Sequence, residues 1–182
     1  MRDRNRRFSV PPLQWQADMT FVRKTGGRVH LAGPAVEKLL AHRQLQDSSP
    51  EAGGVMLGRL ILGTSDVVVD AVTGPFTEDK CSRFTFFRSR KRAQQIVDEA
   101  WHASRGTKIY LGDWHTHPED TPSPSSQDLR NWRKICEAAV YEQKLLLFLI
   151  AGRVSLRIWE LSKGVSPEEI ICVDSIGLVP EL

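Results

Sequence analysis

The chain has 182 residues, 41% apolar and 26% charged, ordinary proportions for one globular domain that can bury about two-thirds of its unfolded surface. The net charge of +3 resides in the first seven residues, MRDRNRR, with four arginines and one aspartate, so the rest is neutral and argues against a nucleic-acid partner. The three cysteines, Cys81, Cys136 and Cys172, form no Cys-x-x-Cys pair, and the longest apolar run, LLLFLIAG from Leu145, falls well short of the roughly 20 residues a membrane helix needs; a cytoplasmic protein with no membrane role is expected.

Residues 1–12 read as a flexible basic tail and 13–182 as one domain. LQWQADMTFV alternates imperfectly as an opening strand, and GGRVHLA gives a turn and a second strand. GPAVEKLLAHRQL puts Val36, Leu39 and Leu40 on one helical face, with Pro34 in the first turn. GGVMLGRLIL and DVVVDAVTG, separated by GTS, predict a hairpin, and RFTFF a further short strand. RSRKRAQQIVDEAWHAS places Ala93, Ile96, Val97, Ala100 and Trp101 at helical spacing, and the helix ends before Gly106.

KIYLGDWHTH then predicts a strand and PEDTPSP a loop. SSQDLRNWRKICEAAVYEQ predicts a helix with Leu129, Trp132, Cys136, Ala139 and Val140 inward. KLLLFLIAG and VSLRIWEL pair as a second hairpin across Gly152 and Arg153. Hairpins interrupted by helices imply a single α+β domain.

On a strand, residues two apart share a face, so His115 and His117 present both imidazoles to one point. Pro118 ends that strand, and Asp128 falls in the first turn of the next helix, within reach of the same point. Two imidazoles and one carboxylate leave a fourth tetrahedral position open, the arrangement of catalytic zinc. Asp128 has a competing explanation, because Ser125 and Asp128 also form a capping-box-like helix start. Trp114 points away from both histidines, which suits core packing more than a substrate contact. Asp113 shares the histidine face by alternation, as a partner of a ligand imidazole or a carboxylate at the cleft rim. His30, His42 and His102 read as ordinary strand or surface residues.

Upstream, PEAGGVMLGR sets Glu51 before a double glycine and an apolar strand. Together with HTHP, the six residues EDTPSP, Ser125, SQ and Asp128, this resembles the JAB/MPN (JAMM) metalloprotease family. Its pattern is a glutamate before a Gly-Gly-apolar-Leu-Gly strand, then His-Ser/Thr-His-Pro, six residues, Ser, two residues and Asp; every position is present. The resemblance implies a cytidine-deaminase-like fold, a mixed curved β-sheet flanked by three helices. It implies one zinc held by His115, His117 and Asp128, with Glu51 as general acid–base and Ser125 as hydrogen-bond donor to the oxyanion.

Family members with all ligands hydrolyse the bond after the C-terminus of ubiquitin or a ubiquitin-like modifier. YLGDWHTHPEDTPSPSSQD with SRFTFFRS further resembles bacterial JAB peptidases found beside an E1–E2 fusion protein in cyclic-oligonucleotide (CBASS) antiphage operons, often with glutamate at the place of Asp113. That likeness implies a deconjugase that releases a cGAS-like nucleotidyltransferase from its targets. Processing of another ubiquitin-like or sulfur-carrier protein, and an inactive MPN scaffold, are the alternatives. The cluster RSRKR lies where a helix begins, and cations there oppose the helix dipole by about 0.3–1 kcal/mol. Either it is a solvated helix face, or Arg90 and Arg92 anchor an acidic partner surface, with Trp114 as a further substrate contact.

Overall fold

The computed structural model describes residues 18–24, 26–139 and 145–172. The expected tail at residues 1–12 lies outside them, as do Val140 and the last residues of the third predicted helix. In chain order the elements are β1 (Met19–Val22), β2 (Arg28–Leu31), α1 (Gly33–Ala41), β3 (Gly53–Leu60), β4 (Val67–Val72), β5 (Lys80–Ser82), β6 (Thr85–Phe87), α2 (Arg90–Ala103), β7 (Ile109–Thr116), α3 (Ser126–Ala138), β8 (Leu146–Ala151), β9 (Leu156–Leu161) and β10 (Glu168–Cys172).

Both predicted hairpins form, as β3–β4 and β8–β9. The sheet curves until it closes, in the order β1-β10-β9-β8-β7-β3-β4-β2, while β5 and β6 form a separate two-stranded ribbon. Sequence patterning missed β5 and β10. Every residue of β5 is exposed, and without a buried face it shows no alternation. The strand β10 completes the barrel by pairing with both β9 and β1.

The LLFLIA run of β8 is buried along its whole length because both of its faces are covered. Leu147, Leu149 and Ala151 join the barrel interior with Phe21, Val29, Leu31 and Trp114, and α1 adds Ala35, Val36 and Leu39. The alternate residues Leu146, Phe148 and Ile150 face outward, under α3. There Trp132 stacks on Phe148 at 4.8 Å between ring centroids and lies 5.6 Å from Trp159.

Helix α2 covers Val55 and Leu57 with Ala93, Ile96, Val97 and Ala100. Trp101, placed on that apolar face by its spacing, is instead 41% exposed; its ring lies over the turn at Gly106, where a side chain would come within 3.1 Å of it. The segment β7–α3–β8 is a strand–helix–strand unit with β7 and β8 parallel. Its carboxyl-end crevice, between the end of β7 and the start of α3, is where such sheets collect ligands. No helix among the described residues is long and apolar enough to cross a membrane.

Candidate functional site

The predicted metal ligands meet at that crevice. His115 lies on β7 and His117 just beyond its end, and their Nε2 atoms are 3.1 Å apart. Asp128 comes from the first turn of α3, with Oδ1 3.3 Å from His115 Nε2 and Oδ2 3.4 Å from His117 Nε2. One ligand atom from each residue falls within 4.8 Å of the others. At zinc–nitrogen bonds of about 2.0–2.1 Å and a tetrahedral angle, two ligand atoms stand roughly 3.3 Å apart, so the spacing fits a small divalent cation.

Two local structures aim Asp128. Trp132, one helical turn on, shares its face, and its stacking on Phe148 fixes the rotation of α3 over β8. A capping box does the rest: Ser125 Oγ accepts from the Asp128 backbone N–H at 3.2 Å, and Asp128 Oδ2 accepts from the Ser125 N–H at 2.7 Å. The cap and ligand readings of Asp128 therefore do not compete, because the capped carboxylate still presents oxygen to both imidazoles. The Ser125 hydroxyl has capacity beyond the cap. Its cap uses a lone pair, which leaves the hydroxyl proton to be donated elsewhere.

Glu51 sits two residues before the start of β3 and is 5% exposed, its Oε1 4.0 Å from His117 Nε2. Burial pushes its carboxyl up to about 7, opposed by His117 and reinforced by the negative charge of Asp128. A carboxyl poised near neutrality can both accept and return a proton. Asp128 moves the other way. Burial alone would raise it, but hydrogen bonds from His115 and His117 hold it below the usual carboxylate range. The two carboxyls thus differ in environment: imidazole hydrogen bonds favour the ionised form of Asp128, whereas burial favours the protonated form of Glu51.

The double glycine after Glu51 has a packing reason. A side chain at Gly53 would meet the Phe86 ring at 2.5 Å, and one at Gly54 would meet Thr73 Oγ1 at 2.3 Å. Bare backbone here lets the β5–β6 ribbon lie close over the start of β3. The ribbon forms one wall of a cleft through Phe84, Phe86 and Phe87; α3 forms the other through Gln127 and Ile135.

Trp114 is 1% exposed and its indole donates to the Thr73 carbonyl at 2.9 Å. Its ring belongs to the core, the role its direction away from the histidines favours, and the residue also borders the cleft. Its neighbour His42, read as a surface residue, is half-buried 5.7 Å from that ring. Arg90 lines the cleft, whereas Arg92 is absent from its lining and lies over the Phe76 ring.

Asp113 does share the histidine side, but its partners are not imidazoles. Arg88 Nε donates to Oδ2 at 2.8 Å and the Tyr110 hydroxyl to Oδ1 at 2.8 Å. Neither Arg88 nor Tyr110 was singled out from sequence. In a regular strand, Tyr110 and Asp113 would point to opposite faces; a bulge opposite Met56 and Leu57 removes one step of alternation and brings them together. Gly112, at φ +144° and with no room for a side chain against the Leu147 carbonyl, sits at that irregularity and was its one sequence signal.

Residues 34–162 match the family described as prokaryotic homologs of the JAB domain. A protein of Vibrio cholerae serotype O1 named CD-NTase/cGAS isopeptidase is 37% identical over 75% of this chain and 83% of its own length. A Pseudomonas aeruginosa protein of the same name is 38% identical over 75% and 84%. The solution structure of protein DSY2949 from Desulfitobacterium hafniense superposes with a TM-score of 0.50 at 24% identity, covering 76% of this chain and 87% of that one, a likeness of fold. The chain belongs to the prokaryotic JAB-domain family.

Proposed function

We propose that this protein is a zinc-dependent JAMM isopeptidase that cleaves after the C-terminus of a ubiquitin-like conjugated protein. Its proposed role is the release of a cGAS-like nucleotidyltransferase from its targets in CBASS defence, beside an E1–E2-like conjugating protein. The observation that carries the reading is the convergence of His115, His117 and Asp128 with the Glu51 carboxylate 4.0 Å from His117. The substrate class follows from the relatives named CD-NTase/cGAS isopeptidase.

His115, His117 and Asp128 would hold zinc, which would supply the Lewis-acid chemistry for activating water and polarising the scissile carbonyl. Glu51 takes the proton from the attacking water and delivers it to the departing amine, a double duty that its buried place beside His117 allows. Ser125, whose hydroxyl proton its cap leaves free, donates to the carbonyl oxygen as negative charge builds there.

An extended substrate tail gains affinity from main-chain hydrogen bonds by adding as a strand. The strand β6 pairs only with β5 among the described strands, which leaves one edge for such an addition beside the cleft. Arg90, at the cleft, is positioned to meet an acidic group on the incoming protein.

The test is incubation with a linear fusion of a cGAS-like nucleotidyltransferase C-terminus to a reporter protein, with and without chelator. Cleavage at the junction that stops on chelation and returns with zinc supports the reading. Cleavage indifferent to chelator contradicts it.

A further inference from the structure

Thr116 stands between the two histidine ligands and is wholly buried, with its side chain turned away from the metal point. Its hydroxyl is fully committed. It accepts from the Ala52 backbone N–H at 3.0 Å and donates to Gln44 Oε1 at 3.0 Å. The Thr116 backbone N–H returns a bond to the Ala52 carbonyl at 2.8 Å. The residue following Glu51 is therefore gripped twice by the residue between the ligands.

Gln44, 2% exposed at the end of the α1 region, completes the arrangement. Its Nε2 donates to the Ser49 carbonyl at 3.0 Å and the Arg83 carbonyl at 2.9 Å. These carbonyls belong to the two backbone segments that flank Glu51. Ser49 precedes Glu51 in the same loop, and Arg83 follows Ser82, whose carbonyl accepts from the Glu51 N–H at 2.7 Å. The amide orientation is fixed by its partners, since oxygen must face a hydroxyl and nitrogen two carbonyls.

We infer that Thr116 and Gln44 are positioning residues that hold Glu51 at its working distance from the metal ligands. Neither touches substrate or the metal point; both act through the Glu51 backbone. Buried groups with every hydrogen bond satisfied specify one geometry, and deleting one member leaves the others unpaired. Misplacement of a catalytic group by about 1 Å can cost on the order of 100-fold in rate. The inference rests on the proposed role of Glu51.

The test compares zinc-loaded Thr116→Val, Thr116→Ser and Gln44→Met with the wild type, using the nucleotidyltransferase–reporter fusion. Thr116→Val keeps the side-chain volume but removes the hydroxyl. The expected result is a roughly 10- to 100-fold lower kcat, with KM within about two-fold and unchanged zinc content. Amide exchange at Ala52 should accelerate in the same variant. Thr116→Ser should recover most of both losses. Gln44→Met should move kcat in the same direction, and it carries the test should Thr116→Val not fold.

Wild-type kcat in either folded variant, or a loss traced to missing zinc with Ala52 exchange unchanged, overturns the inference. Glu51→Gln separates this from the function itself. If that variant is fully active, the proposed chemistry fails; if it is inactive while Thr116→Val matches the wild type, only the positioning role fails.

Discussion

The two sides of the cleft are built on different principles. On the metal side, Glu51, Thr116 and His117 are buried, and Thr116 Oγ1, Gln44 Nε2 and Asp128 Oδ2 each hold two partners. Across from it, the β5–β6 ribbon and the start of α2 carry exposed Phe84, Phe87 and Arg90. A site that performs chemistry needs fixed geometry, whereas a surface that admits a protein tail needs reach and reversible contact. The contrast predicts that substitutions on the metal side act on kcat and metal content, and those on the ribbon side on KM.

Loss of a ligand should have the largest effect. His115→Ala or Asp128→Ala should abolish both zinc binding and cleavage of the fusion, read by metal analysis and a cleavage assay. Glu51→Ala should keep the metal and lower kcat by about 10²–10⁴-fold; full activity would remove Glu51 from the mechanism.

Trp132→Ala probes the support of Asp128 from behind. Removing a buried Trp should cost about 3–5 kcal/mol, and loss of the Phe148 stack should weaken metal affinity although no ligand is altered. Denaturant melts and zinc titration check both.

Ser125→Ala should lower kcat by about 10²-fold through the lost oxyanion donor and stability by roughly 0.5–2 kcal/mol through the lost cap. A stability change with kcat intact would leave Ser125 as a cap alone.

The smallest effect belongs to the ribbon side. Arg90→Glu should raise KM several-fold and leave kcat, zinc content and thermal midpoint near wild type. An unchanged KM would make Arg90 a solvated helix residue.

The same contrast explains what could be read from the sequence. His115, His117 and Asp128 stood out because strand alternation and a helix start place them by rules a few residues long, whereas Glu51 stood out only through its place in the family pattern. The core helix faces were legible for the same reason, as Trp132 and Cys136 show. Arg88 and Tyr110 escaped because their meeting at Asp113 depends on a bulge whose register is set by β3, a distant strand. Gln44 escaped because its three partners lie in three separate segments. Nor did local pattern foretell that the sheet closes, since that depends on the short strand β10 reaching β1. Asp128 shows the reverse case: the cap and ligand positions that compete on spacing alone coincide in one geometry, because the capping carboxylate still faces both imidazoles.

The most direct measurement is zinc stoichiometry on purified wild type, Glu51→Ala and Asp128→Ala prepared side by side. The proposed metal centre predicts about one zinc per chain in the first two and none in the third. Wild type devoid of zinc, or Asp128→Ala retaining it in full, would contradict a metal centre built from His115, His117 and Asp128.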